Sequence, residues 1–133
     1  MKDIKIVCGS NWGDEGKGLM TDYFSQKPNS IVVCSNGGAQ RGHTVTTPDG
    51  IRHVFHHFGS GTFNNASTYL SEDFIVNPII FKQEYDELIK LGYIPNVYIN
   101  QNCMLTTPFD MMANQIIEEN RGKNKHGSCG LGI

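Results

Sequence analysis

Residues 3–8, DIKIVC, alternate with β-branched residues and stop at Gly9, the pattern of a buried β-strand. After a glycine-rich loop, GKGLMTDYFSQ places Met20, Tyr23 and Phe24 on one helical face and ends before Pro28, where a helix cannot comfortably continue. SIVVCSN at 30–36 is a second short apolar strand. Strand, loop, helix and strand make a βαβ unit, and such crossovers build parallel sheets.

The segment TVTTPDGIRHVFHHF reads as a hairpin, with alternating flanks around Pro48-Asp49-Gly50. Asn77-Pro78 is a cap followed by a first-turn proline, with Phe81, Tyr85 and Leu88 on one helical face and Gly92 as the stop. NVYIN at 96–100 predicts a third parallel strand. Thr107-Pro108-Phe109-Asp110 opens another helix, whose apolar face continues through Met112 and Ile116. No internal repeat, linker or low-complexity tract interrupts this order. The expected class is α/β: a mainly parallel sheet flanked by helices, as in P-loop NTPases, with a small β-hairpin inserted.

Composition adds limits rather than direction. The chain has 133 residues, 38% hydrophobic and 18% charged, with a formal net charge of −2. That suits one soluble core and gives no reason to expect nucleic acid or an anionic membrane as partner. Runs such as IVVC are far too short to span a bilayer. The start, MKDIKIV, lacks the apolar region of a signal peptide. Cys8, Cys34, Cys103 and Cys129 form no CxxC pair, so buried or loop thiols in a reducing cytoplasm are expected. The segment GKNKHGSCGLGI (122–133) holds four glycines, a composition that delivers backbone to a ligand or another element. A terminus just past such a loop reads as truncation, so residues 1–133 are expected to be the N-terminal part of a larger single domain.

The chemistry concentrates in two loops. GSNWGDEGKG (9–18) follows the first strand and opens the first helix. Gly13, Gly16 and Gly18 let backbone N–H groups point inward towards phosphate, beside the positive end of the helix dipole, and Lys17 adds a mobile charge. A standard P-loop would carry Ser or Thr at position 18 to hold Mg²⁺. Asp14 could replace that hydroxyl as the Mg²⁺ ligand, or serve as a general base beside the γ-phosphate. Glu15 either accepts hydrogen bonds from loop amides or faces water. GGAQRGHT (37–44) follows the second strand, so it should lie on the same sheet edge, where ligands bind in open α/β sheets. His43 could there donate to a developing oxyanion; Arg41 could pair with phosphate or remain a solvated loop residue. His53, His56 and His57 sit on the hairpin without a carboxylate partner in sequence, which suits packing or surface roles.

W-G-D-E-G-K-G followed by G-G-x-x-x-G-H-T closely resembles the adenylosuccinate synthetases, and HGSCGLGI resembles that family's I-G-T-T-G-R-G-I-G loop. The resemblance implies GTP- and Mg²⁺-dependent joining of IMP to L-aspartate through 6-phosphoryl-IMP. Asp14 would remove the purine N1 proton and touch Mg²⁺ together with the Gly42 carbonyl; His43 would be the acid. Gly13, Glu15, Gly16, Lys17 and Gly18, with Gly42, His43 and Thr44, would hold the GTP phosphates. Asp14, Lys17, Gln40, Arg41, Ser128 and Cys129 would meet IMP. Gln40 stands for the family's Asn, Arg41 for Ala, Cys129 for Thr and Leu131 for Arg. A phage branch of the family uses dGMP and carries Ser at the Asp14 position, so Asp14 favours IMP. The guanine-reading motif and the Arg-rich aspartate loop are absent from these residues, and no synthesis is expected from them alone. The full-length family implies a homodimer. The competing expectations are a GTP-binding switch, for which Asp14 and His43 have no use, and a degenerate structural homologue.

Overall fold

The computed structural model describes residues 3–132; the final position of the glycine-rich segment over 122–133 lies outside them. Three short parallel strands form the main sheet in the order β1 (Ile31–Cys34), β4 (Ser67–Leu70), β6 (Val97–Ile99). β1 pairs with β4 from Ile31↔Ser67 to Cys34↔Leu70, and β4 pairs with β6 from Thr68↔Val97 to Leu70↔Ile99. The expected hairpin is present as β2 (His43–Thr46) against β3 (Arg52–Phe55), closed where Thr47 N–H and Thr47 Oγ1 both bond Ile51. A second parallel pair, β5 (Ile75–Val76) with β7 (Met104–Leu105), extends the β1 side through a bridge between Gly37 and Phe74.

Local chemistry sets the helix ends. α1 (Lys17–Phe24) begins at Gly16, which adopts φ 80°. α2 (Pro78–Lys90) starts where Asn77 Oδ1 accepts the N–H groups of Ile79 and Ile80, with proline in the first turn. Gly92 at φ 88° follows its end. α3 (Pro108–Asn120) has a complete capping box between Thr107 and Asp110.

The core has two parts. Cys34, Leu70, Phe74 and Val76 pack between the sheets, and Val45, Phe55, Phe58 and Leu88 pack between the hairpin and α2. Phe81 and Val97 touch both parts and join them. Burying each of Phe55, Phe58, Phe74, Leu70 and Leu88, all at 0% exposure, contributes about 1.5–3 kcal/mol.

Two expectations fail. Residues 3–8 belong to no helix or sheet, and Ile4 and Ile6 are 84% and 83% exposed. A strand is made by its neighbour's hydrogen bonds, and the only described pairing of β1 is with β4. Side chains tether the segment instead: Asp3 Oδ2 accepts from Lys27 Nζ at 3.1 Å, and Lys5 lies over the Phe24 ring. The βαβ unit of the sheet is instead β4, α2 and β6, whereas β1 reaches β4 through the hairpin and a 3-10 turn. The second failure is in the helix faces: Met20, Tyr23 and Phe24 of α1 and Met112 and Ile116 of α3 are exposed, while Glu118 of α3 is buried. Its carboxylate accepts from Gly127 N–H and Arg121, so the helix turns a polar residue towards the loop that follows.

Candidate nucleotide-phosphate site

Residues 13–18 and 42–44 face each other across an open cavity of about 380 Å³. Its walls are Gly13, Asp14, Glu15, Gly16, Lys17 and Gly18 from one loop and Gly42, His43 and Thr44 from the other. The two loops read from sequence as phosphate-binding thus meet. The meeting depends on Gly18. A Cβ built there would stand 2.8 Å from His43 Cβ and 3.1 Å from the His43 backbone, closer than real carbon contacts allow. The absent P-loop hydroxyl has a steric cause: no side chain fits where the start of α1 crosses β2.

The loop turns through left-handed conformations at Gly13 (φ 112°), Asp14 (φ 56°) and Gly16 (φ 80°). Glycine adopts these freely, and Asp is among the few other residues that tolerate them. Asp14 is exposed and makes no hydrogen bond among the described residues, which leaves its carboxylate available in the cavity. Glu15 behaves differently. Its carboxylate accepts the N–H of Asn11 at 3.0 Å and of Gly13 at 3.2 Å, and pairs with Lys17 Nζ. The Lys17 ammonium, then the Asn11 and Gly13 amides, hold the Glu15 carboxyl down at about 2. In the ligand-free chain, Glu15 fills an anion cradle with its own anion.

His43 is half-buried at the start of β2. Burial first, then the nearby charges of Arg41 and Lys17, push its imidazole down to about 4. At neutral pH it is therefore an uncharged ring able to donate one N–H.

The residues expected to meet IMP are distributed differently. Asp14 and Lys17 line the cavity; Gln40, Arg41, Ser128 and Cys129 do not. Arg41 is not a solvated loop residue. Its Nε and Nη2 donate to the carbonyls of His56 (2.8 Å) and Phe58 (3.1 Å), and its guanidinium lies over the Phe74 ring. Ser128 Oγ donates to Asn114 Oδ1 at 2.7 Å, and Gln115 Nε2 donates to the Gly130 carbonyl at 3.1 Å, so the glycine-rich loop lies along α3 with Cys129 exposed. A smaller cavity of about 200 Å³ has Ala39 and Leu131 among its walls and brings the second loop and the glycine-rich loop together over α2.

A family profile for adenylosuccinate synthetase matches residues 6–133. The chain belongs to the adenylosuccinate synthetase family. It is 35% identical over 130 residues to the adenylosuccinate synthetase of Synechocystis sp., covering 96% of this chain and 29% of that protein. The Microcystis aeruginosa synthetase is 36% identical over 130 residues, with the same coverage. The Christiangramia forsetii synthetase is 35% identical over 133 residues, 98% of this chain and 31% of that one. The chain thus spans about three-tenths of the length of the curated synthetases it matches. Among solved structures, the fully ligated adenylosuccinate synthetase of Plasmodium falciparum superposes with a TM-score of 0.80 at 25% identity, covering 94% of this chain and 30% of that one. The cyanophage S-2L succinoaminodeoxyadenylate synthetase, bound to dGMP and dATP, shares the fold at TM-score 0.64 and 19% identity. Among the described residues, no helix is long and apolar enough to cross a membrane.

Sequence reasoning about this synthetase-family chain missed one titratable group, Glu84. It lies on α2 at 2% exposure and gathers His53, His57 and three backbone amides around its carboxylate. His53 and His57 are packing residues, and their carboxylate partner comes from another element. A Glu on the same helical face as Phe81 and Leu88 was the available signal.

Proposed function

We propose that residues 1–133 form the N-terminal part of an adenylosuccinate synthetase, the part that grips phosphate and activates the purine. The complete enzyme joins IMP to L-aspartate at the expense of GTP. The observation that carries this reading is the shared cavity, whose walls hold Asp14, a carboxylate without a hydrogen bond among the described residues, together with the neutral imidazole of His43 and with Lys17. A nucleotide switch has no use for a base and a donor placed together beside phosphate.

Loop amides and Lys17 hold the transferring phosphate, and binding requires the Glu15 carboxylate to leave the cradle. Asp14 takes the purine N1 proton, which makes O6 nucleophilic; O6 then attacks the γ-phosphorus and GDP leaves. His43 donates its N–H to charge developing on the phosphoryl and purine oxygens, as an uncharged donor rather than an imidazolium. The aspartate amine displaces phosphate at C6. Mg²⁺ suits the donors present: one available carboxylate at Asp14 and the Gly42 carbonyl are the hard oxygens such an ion takes, with phosphates and water completing its shell. When bound it neutralises phosphate charge. Gln40, Ser128 and Cys129 face IMP from the other side, while Arg41 contributes through the loop it anchors. The guanine-reading and aspartate-gripping elements come from polypeptide beyond these residues, in a cytoplasmic homodimer.

Calorimetric titration of the chain with IMP, dGMP and GTP·Mg²⁺ tests the reading. IMP and GTP are expected to bind, dGMP more weakly than IMP, and Asp14→Asn to preserve GTP binding. With all substrates present, the chain alone makes no adenylosuccinate. Steady GTP hydrolysis indifferent to IMP would instead establish a switch.

A further inference from the structure

The loop carrying Gln40 and Arg41 and the loop carrying Ser128 and Cys129 lie far apart in the chain, yet both are fastened to one buried carboxylate. Glu84 accepts the backbone N–H groups of His56 at 2.9 Å, His57 at 2.6 Å and Phe58 at 3.4 Å. The same stretch supplies the His56 and Phe58 carbonyls that hold the Arg41 guanidinium. One arm therefore runs from Glu84 through backbone to the second loop.

The other arm runs through His57, which is fully buried. Its Nε2 accepts the Asn77 backbone N–H at 3.0 Å. An amide N–H can only donate, so the ring proton sits on Nδ1, which faces Glu84 Oε2 at 3.6 Å. Asn77 continues the line: its Nδ2 donates to Met111 Sδ at 3.3 Å and to the Leu131 carbonyl at 3.4 Å, inside the glycine-rich loop. Three converging amide donors need a group that only accepts, and a carboxylate meets that need where an amide would present N–H to N–H. Burial by itself would raise the Glu84 carboxyl, but the two imidazoles 3.6 Å away and the hydrogen bonds from the His57 and His56 amides hold it at about 2.

We propose that Glu84 is a positioning residue that fixes the separation of the Gln40–Arg41 loop and the Ser128–Cys129 loop. It acts through the backbone of residues 56–58 on one side and through His57 and Asn77 on the other. The proposal rests on the reading that these two loops grip one purine nucleotide.

The test uses the whole chain and three variants. Glu84→Gln removes the hub. Asn77→Asp keeps the helix cap but deletes the donor to Leu131. Leu88→Ala lowers stability from the same helix and through the same core while removing no hydrogen-bonding group of the network. In the wild type, ¹⁵N spectra should place the His57 proton on Nδ1. Glu84→Gln should speed amide exchange about tenfold at both 40–44 and 128–131 relative to the β1 and β4 amides, and Asn77→Asp only at 128–131. Leu88→Ala should leave those ratios unchanged. IMP should bind Glu84→Gln about tenfold more weakly, while pyrophosphate binding at the first loop changes less than about twofold. Loosening of one loop alone in Glu84→Gln, or a His57 proton on Nε2, overturns the proposal. If Glu84→Gln does not fold, unchanged exchange at 128–131 in Asn77→Asp overturns it. A wild type that binds no IMP removes the nucleotide reading, yet the exchange ratios still decide the role of Glu84.

Discussion

Gly18 and His43 stand so close that a methyl group on Gly18 would lie 2.8 Å from His43 Cβ. The start of α1 and the strand that presents the imidazole are therefore set at a separation only glycine permits.

Gly18→Ala should destabilise the chain by about 1–3 kcal/mol through overpacking, read as a lower urea midpoint. Gly18→Ser, which restores the hydroxyl of a standard P-loop, should fare no better and should shift the His43 ring resonances. A Gly18→Ser variant of wild-type stability with unshifted His43 signals would mean the close approach is not limiting.

Glu15 and Lys17 lead to a second expectation. Their ion pair, with the Asn11 and Gly13 amides, occupies the groups a phosphate would use. Glu15→Gln removes a negative charge from the cradle and releases Lys17. Pyrophosphate should then bind roughly tenfold more tightly at pH 7, measured by calorimetry. Weaker binding would show instead that Glu15 orients Lys17 for its ligand.

What the sequence made legible follows the reach of each interaction. Helix starts at Asn77-Pro78 and Thr107-Pro108 are written in adjacent residues, because a cap satisfies amides two or three positions away. The hairpin about Pro48-Asp49-Gly50 is local for the same reason. β4, the middle strand of the sheet, was not visible. Ser67 and Thr68 make half of STYL polar, and Thr68 is tolerated at 1% exposure because its Oγ1 accepts the Gly59 N–H at 2.8 Å. Residues 3–8 erred the other way, since alternation signals a strand without supplying a neighbour to pair with. The two site loops were legible as motifs. What was hidden is the occupation of groups that looked available: Arg41 by the His56 and Phe58 carbonyls, Ser128 by Asn114. Such partners lie more than ten residues away and only folding reveals them.

His43 yields a pH expectation with a definite sign. Its folded value of about 4 lies below the ordinary histidine value of 6.5, so the unfolded chain binds the proton more readily. Its contribution to stability is present above pH 6.5 and is lost as pH falls towards 4. NMR titration of the His43 ring should give a midpoint near 4 in the ligand-free chain, moving upward when pyrophosphate fills the cavity and offsets Arg41 and Lys17. A ligand-free midpoint at the ordinary histidine value would remove the case for an uncharged donor.

Glu84 gives the acid effect expected from the buried core. Hydrogen bonding outweighs burial and lowers its carboxyl from 4.5 to about 2. The ionised, hydrogen-bonded form therefore supports the fold above pH 4.5, and that support is lost as pH falls towards 2. The shift corresponds to about 3 kcal/mol, comparable to breaking a buried network by removing one partner. Glu84→Gln, which cannot titrate, should already be destabilised by a similar amount at pH 7. Its urea midpoint should then change less than the wild type's between pH 5 and pH 3, where the remaining carboxylates titrate in both. Parallel pH profiles for the two proteins would mean that Glu84 does not carry the charge the geometry assigns it, and that the three amides of residues 56–58 are satisfied in another way.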